Sequence, residues 1–209
     1  MKSKSLCIAI VAGLFLPAMA FADTAVTPGW EFSTPGNEST NGSWTNGEVF
    51  VANEAITVGY LGYYDPTIGM NGSHAVGLYD ASGNLLASSV VNSDSQYFDG
   101  HFLYSAIAPV TLTEGDTYVV EGVSDIDDYT WDTTGFFVNP EITALGQNQN
   151  YEGEGLAFNG TTIVSLGVSN GFWGPDFAMT STPEPTSLLL LGSGMAGLAG
   201  ILRRRLVRR

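Results

Sequence analysis

A short acidic segment carries the densest set of metal-ligand side chains in this chain. Four aspartates stand within eight residues, at Asp125, Asp127, Asp128 and Asp132. Carboxylate oxygens at this density suit Ca²⁺, although the spacing is not that of an EF-hand loop. The segment therefore predicts a solvated acidic loop, with a calcium site at these four aspartates as the alternative.

Two tryptophans have the chemistry of sugar-binding platforms. Trp131 lies inside the acidic segment, and Trp173 stands in the run Phe172-Trp173-Gly174-Pro175. Aromatic rings can stack on sugar rings, but aromatic residues at strand ends more often pack into a core or a corner. Both roles stay open for these two residues at this point.

Catalytic chemistry has little support in the chain. Residues 167–171 have the G-x-S-x-G spacing of a nucleophile elbow, but that chemistry needs a histidine further along the chain. His74 and His101 are the two histidines, and both precede Ser169. Their separation fits no familiar metal-ligand spacing. We therefore expect a turn at Ser169, histidines that belong to strands or turns, and no enzymatic activity.

An all-β domain must position these side chains. Residues 23–182 contain no apolar pattern long enough for a confident helix, and short β-rich runs alternate with turn residues instead. Turn residues such as Gly83 and Gly115 connect neighbouring runs. We predict an antiparallel β-sandwich of the jelly-roll or Ig-like kind. The predicted strands are residues 48–52, 56–64, 74–79, 85–91, 102–107, 110–113, 117–123, 135–138 and 161–168.

The charge distribution excludes one class of function. The chain has 7 Lys and Arg against 21 Asp and Glu, which gives a formal net charge of −14. The cations all stand near the two ends, so residues 5–202 contain none. Because nucleic-acid recognition depends on Lys and Arg contacts to phosphate, we expect no nucleic-acid partner.

The amino-terminal residues 1–22 have the three parts of a secretory signal peptide. A basic start precedes an apolar run, and Ala20 and Ala22 supply the small residues of a cleavage site. The one cysteine, Cys7, lies inside this segment. We expect cleavage after Ala22, export, and a mature chain without thiols or disulfides.

The carboxyl-terminal residues 183–209 combine a rigid motif, an apolar stretch and a basic cluster. The two prolines of Pro183-Glu184-Pro185 hold the backbone extended. Residues 187–202 carry no charge, which predicts a short transmembrane helix. The basic cluster Arg203-Arg204-Arg205 follows this stretch, and by the positive-inside bias it faces the cytoplasm. The acidic domain should therefore lie on the outer side of the membrane.

In this order, the three parts closely resemble the PEP-CTERM sorting signal. In that family an exosortase, which is an integral membrane transpeptidase, recognises the motif and is expected to cut near it. Thr182 stands where a short hydrophobic residue is more usual. The resemblance implies that Pro183, Glu184 and Pro185 form the sorting motif and that exosortase is the partner. It also implies an inner-membrane precursor that is then released or transferred to the cell surface or the extracellular matrix.

The central domain resembles an uncharacterised β-sandwich domain that is common in PEP-CTERM proteins. The likeness covers roughly residues 45–180 and rests on turn and core positions such as Asp80-Ala81-Ser82-Gly83-Asn84. It implies a fold and no catalytic residue. We expect a structural or adhesive protein of the cell surface or of the extracellular matrix, associated with exopolysaccharide or biofilm. The alternative is a carbohydrate-binding module with a Ca²⁺-stabilised acidic loop, in which Trp131 or Trp173 stacks on an extracellular polysaccharide.

Overall fold

The computed structural model describes residues 26–39, 42–65, 69–95, 97–148, 151–153, 155–164 and 171–180. Within these ranges the chain forms antiparallel strands and no helix, which confirms the predicted all-β class. The strands are β1 (Val26–Pro28), β2 (Trp30–Glu31), β3 (Asn37–Ser39), β4 (Trp44–Ala52), β5 (Ile56–Tyr64), β6 (Ser73–Asp80), β7 (Leu85–Asn92), β8 (Tyr97–Asp99), β9 (Phe102–Leu112), β10 (Thr117–Val123), β11 (Tyr129–Trp131), β12 (Phe137–Val138), β13 (Ile142–Gln147), β14 (Tyr151–Glu152) and β15 (Pro175–Thr180).

Two sheets build the domain. The five-stranded sheet has the order β1-β15-β5-β9-β8, and the six-stranded sheet has the order β13-β4-β10-β6-β7, with β14 also paired to β4. Two short antiparallel pairs, β11 with β3 and β12 with β2, flank them. Phe50 of β4 stacks on Phe177 of β15 with ring centroids 4.5 Å apart, so side chains from the two sheets meet in one core. The architecture is consistent with a β-sandwich.

The alternation of side chains along β10 explains how one strand serves two apolar layers. Tyr118 and Val120 pack into the main core, whereas Val119 packs into a second cluster with Val49 and Tyr79. Successive side chains of a strand point to opposite faces, which is the alternation that the sequence predicts here. Burial of each large apolar side chain stabilises the fold by about 1.5–3 kcal/mol before the loss of chain entropy is counted.

A segment without regular structure covers the second cluster, and we call residues 155–164 the strap. Its apolar side chains Leu156, Phe158 and Ile163 pack against that cluster. The sequence predicts a strand at 161–168, but residues 161–164 are not a strand, and residues 165–168 lie outside the described part. Gly155 and Gly160 have positive φ angles of 90° and 89°, so the backbone turns repeatedly instead of extending.

Strand β9 is longer than its sequence pattern indicates. The sequence predicts two strands, 102–107 and 110–113, because Pro109 interrupts the β-rich run. The structure joins them into one strand, and the register against β5 shifts between Val58 and Tyr60. This register shift accommodates Pro109, which has no backbone N–H to donate to the neighbouring strand.

Candidate functional site

The acidic segment lines one wall of a small cavity of about 130 Å³. Asp127 and Asp128 face this cavity together with Glu38 and Asp65, which are distant in the sequence. Four carboxyl groups therefore surround one space, and sequence reasoning found two of them. Glu38 and Asp65 carry no local signal, since only the folding of β3 and the end of β5 brings them here.

Asp127 is held in place by an extensive set of hydrogen bonds. Its carboxylate accepts bonds from the backbone N–H of Asn71 at 3.0 Å and of Gly72 at 2.6 Å. His74 Nε2 lies 3.0 Å from Oδ2 of the same carboxylate. Burial on its own raises the pKa of Asp127, but these hydrogen bonds outweigh it and lower the pKa below its usual range. Asp127 is therefore an ionised anchor of the loop.

The other carboxyl groups of the cavity differ in their state. Burial, with the charges of Glu38 and Asp127, raises the pKa of Asp128. Asp65 accepts hydrogen bonds from the backbone N–H groups of Gly69 and Met70. The cavity thus combines anchored carboxylates with one that is easier to protonate.

The four aspartates of the sequence-based calcium prediction do not converge on one point. Asp125 and Asp132 are exposed and adopt positive φ angles of 50° and 55°. Asp132 accepts a hydrogen bond from Asn37 Nδ2 at 3.1 Å and does not line the cavity. Among the described residues, no group of three or more His, Cys, Asp or Glu side chains is arranged to hold a metal ion.

Divalent cations should nevertheless stabilise the domain through its overall charge. Because residues 5–202 contain no Lys or Arg, the carboxylates there repel one another without cationic relief. We expect millimolar Ca²⁺ or Mg²⁺ to raise the melting temperature by about 2–4 °C, the effect of roughly 1 kcal/mol. Thermal melting in each cation, in chelator and in NaCl of equal ionic strength measures this. An unchanged melting curve would contradict this expectation. A melting temperature that rises with Ca²⁺ but not with Mg²⁺ would indicate a specific site.

The two tryptophans proposed as sugar platforms have different environments. Trp173 is 0% exposed and lies in the main core, where its ring centroid is 5.7 Å from that of Trp30. A buried indole cannot stack on a ligand, so Trp173 is a core residue. Trp131 is partly exposed and contacts Tyr129 and Phe172, with ring centroids 6.0 and 5.8 Å away. Only Trp131 keeps the geometry of a surface platform.

His74 is a buried histidine that lies between two oxygen acceptors. Its Nδ1 lies 2.7 Å from the carbonyl oxygen of Val123, and its Nε2 lies 3.0 Å from the Asp127 carboxylate. Both oxygens are acceptors, so each ring nitrogen can donate to its partner only where it carries a proton. The ring is stacked on Tyr63, with centroids 3.9 Å apart and planes 7° apart.

A buried carboxyl group fastens the strap to the six-stranded sheet. Glu121 of β10 accepts hydrogen bonds from Asn148 Nδ2 at 2.6 Å and from the backbone N–H of Asn159 at 2.9 Å. Asn159 Nδ2 donates to Glu121 Oε2 at 3.1 Å and to the carbonyl oxygen of Thr45 at 2.9 Å. Burial raises the pKa of Glu121 to about 7, although these hydrogen bonds oppose the shift.

Two further carboxyl groups are buried without a cation. Burial and the charge of Glu121 raise the pKa of Glu48 well above its usual range, and neither Glu48 oxygen has a hydrogen-bond partner among the described residues. Burial raises the pKa of Asp176 as well, against the hydrogen bond that its Oδ2 accepts from the Tyr104 hydroxyl at 2.5 Å. The fold therefore favours the neutral form of both groups.

The residues of the export and sorting predictions lie outside the described residues. These are the cleavage residues Ala20 and Ala22, the motif Pro183, Glu184 and Pro185, the predicted helix 187–202 and the arginines Arg203, Arg204 and Arg205. In the part of the chain that the structure does describe, no helix has the length and apolar character needed to cross a bilayer.

Two family models match the chain. A domain of unknown function, DUF4082, matches residues 32–166, which is more than half of the chain. The PEP-CTERM protein-sorting motif matches residues 181–205. No curated protein matches the chain. The DUF4082 match covers β3 to β14 together with the whole strap, so it includes the acidic cavity and the Glu121 network.

Proposed function

We propose that this chain, which belongs to the DUF4082 family, is a structural protein of the cell surface or of the extracellular matrix. The observation that carries the proposal is a PEP-CTERM sorting motif at residues 181–205, directly after the last strand of the domain. The proposal includes no catalytic role.

The sorting motif identifies an exosortase-sorted, exported protein. Its precursor is membrane-anchored and is processed for the cell surface or for secretion, with exosortase as the processing partner. We place the signal peptide at residues 1–22 and the membrane anchor at residues 187–202. The mature domain would then be displayed in a matrix rich in exopolysaccharide.

The packing of the domain supports a structural role outside the cell. Its one cysteine lies at position 7, so the residues that follow can form no disulfide. Stability must come from the core, in which large aromatic side chains such as Trp30, Phe50 and Trp173 are fully buried. The His74–Asp127 bond and the Glu121 network add polar fastenings that do not depend on the redox state of the surroundings.

Replacement of both motif prolines should block sorting and leave the folding of the domain unchanged. In a strain that carries exosortase, we expect the wild-type protein outside the cell without residues 188–209. We expect the double variant Pro183→Ala/Pro185→Ala to stay in the membrane fraction, because the extended backbone that the transpeptidase grips is lost. Cell fractionation and the intact mass of the purified protein measure both outcomes. Pro140→Ala, an exposed proline of the domain, is the matched control. The proposal fails if the wild-type protein found outside still carries residues 188–209.

Carbohydrate binding remains the second candidate function because of Trp131. Its partly exposed ring lies against Phe172 and next to Asp132, whose carboxylate accepts a hydrogen bond from Asn37 Nδ2. Aromatic stacking beside polar side chains is the usual chemistry of sugar recognition. A glycan array probed with the wild type and with Trp131→Ala tests this surface directly.

A further inference from the structure

A second cavity lies at the edge of β9, away from the acidic cavity and from Trp131. It has a volume of about 580 Å³, within the usual range for a small-molecule site. Strand β8 pairs only with the first residues of β9, from Phe102 to Tyr104, so the edge of β9 beyond them is open to this cavity. Its wall is formed by the end of β7 and the turn that follows, at residues 92–95.

The turn that forms this wall is fixed by internal hydrogen bonds. Ser105 Oγ donates to the carbonyl oxygen of Val90 at 2.9 Å, so the 2.6 Å contact between Ser95 Oγ and Ser105 Oγ requires Ser95 to donate. Ser95 Oγ in turn accepts the backbone N–H of Asn92, and Asn92 Oδ1 accepts the backbone N–H of Asp94. The wall is therefore preorganised before any ligand binds.

Three polar groups of the wall keep their hydrogen-bonding capacity. The Asn92 Nδ2 amide, the Asp94 carboxylate and the Ser89 hydroxyl line the cavity and make no hydrogen bond to a described residue. They offer a donor, a charged acceptor and a group that can do both. A ligand with several neighbouring hydroxyl groups satisfies such a set, because each hydroxyl can donate and accept.

The floor of the cavity is aromatic. Tyr60 pairs with Ala106 and Tyr104 pairs with Gly62, so the two tyrosines are diagonal neighbours on one face of the five-stranded sheet. Gly62 makes room for the Tyr104 ring, since a Cβ at position 62 would lie 2.5 Å from Tyr104 Cδ1. Tyr104 is buried and tied to Asp176, while Tyr60 is partly exposed and lines the cavity. Tyr60 thus gives the floor an aromatic surface for an apolar sugar face.

The charge of the domain restricts the ligand class further. Asp94 is the one ionisable carboxylate among the lining residues, and residues 5–202 supply no Lys or Arg for an anionic ligand. An anionic polysaccharide would therefore be repelled. We propose that this cavity binds an uncharged, polyhydroxylated ligand, a segment of a neutral oligosaccharide. The site is distinct from the Trp131 surface, and it does not rest on the sorting model.

The test is a calorimetric titration of the secreted, processed protein with neutral hexasaccharides of glucose, galactose and mannose, and with an oligogalacturonate as the anionic comparator. We expect at least one neutral series to bind with a dissociation constant below about 1 mM, and the anionic comparator not to bind. Asp94→Ala should weaken that binding about tenfold or more, because a charged hydrogen-bond acceptor is lost. Asp116→Ala, an exposed carboxylate of another turn, should leave it unchanged.

A second pair of variants tests the floor independently of the turn. Tyr60→Phe keeps the aromatic face and should keep most of the affinity. Tyr60→Leu keeps an apolar side chain against the core but removes the aromatic face, so it should lose most of the affinity. The proposal is overturned if no neutral hexasaccharide binds, or if Asp94→Ala and Tyr60→Leu bind like the wild type. Loss of binding in Trp131→Ala alone would also overturn it and assign recognition to the Trp131 surface. Cell fractionation reports separately on the sorting model.

Discussion

Replacement of His74 by alanine should lower the free energy of unfolding by about 3 kcal/mol, because it removes a buried ring and leaves buried polar groups without their hydrogen-bond partner. The His74 side chain is 0% exposed and that of Asp127 is 11% exposed, so solvent compensates little for the loss. The substitution removes the ring stacked on Tyr63 and leaves the Val123 carbonyl oxygen without its donor. Urea denaturation of the processed protein at constant pH measures the change.

His101 provides the matched control for this substitution. It forms the same type of pair, with Glu31 at 2.8 Å, but both side chains are 24% exposed. His101→Ala should therefore cost about 1 kcal/mol or less, since solvent screens exposed pairs. A double-mutant cycle of His74→Ala with Asp127→Ala isolates the coupling between the two groups. Equal losses for the two histidines, or no coupling in the cycle, would contradict the stabilising role of the buried His74–Asp127 contact.

Raising the pH from 5 to 8 should destabilise the domain by about 2.5 kcal/mol through Glu121 alone. Burial raises the pKa of Glu121 from 4.5 to about 7 in the folded chain. Between these two values the folded state binds more protons than the unfolded state, so stability falls as the pH rises. Glu48 and Asp176, whose pKa values are also raised by burial, act in the same direction. Asp127 acts in the opposite direction. Its pKa is lowered in the folded chain, so protonation of its carboxylate in more acidic solution removes its stabilising contribution.

The pH dependence should shrink when Glu121 can no longer ionise. We expect Glu121→Gln to reduce the loss of unfolding free energy between pH 5 and pH 8 by about 2.5 kcal/mol. Glu114→Gln, an exposed carboxyl group in the turn before β10, should keep the wild-type profile. Chemical denaturation of the three proteins across this range tests the expectation. A wild-type profile that is flat, or that rises with pH, would show that Glu121 does not carry the effect.

The sequence predicts the strands whose pattern is local and misses those that depend on distant partners. Residues 56–64 and 117–123 are predicted with the bounds of β5 and β10, because alternating apolar side chains mark both. Strand β15 is missed: its residues begin with Pro175 and show no clear alternation. It exists because β1 and β5 flank it on both sides. The strand predicted at residues 135–138 is shorter in the structure, at Phe137–Val138, because β2 offers only two partner residues.

The candidate sites were harder to predict because tertiary burial decides them. Trp131 and Trp173 present the same sequence signal, yet one is partly exposed and the other lies in the core. Glu121 falls on the face of β10 opposite Tyr118 and Val120, which the alternation predicts, but only the strap makes that face an interior. The cavity at β9 joins residues 60, 89–95 and 104–106, and no short window of sequence contains them.

The position of β15 makes the five-stranded sheet depend on residues from both ends of the described chain. Thr180, the last residue of the sheet, pairs with Val26 at its beginning, and β15 lies between β1 and β5. Without the six residues of β15, Pro175–Thr180, the five-stranded sheet would have a gap between β1 and β5, so this sheet is complete only when nearly the whole described chain is present. The pairing of Val26 with Thr180 also brings the first and the last described residue to the same end of two adjacent strands.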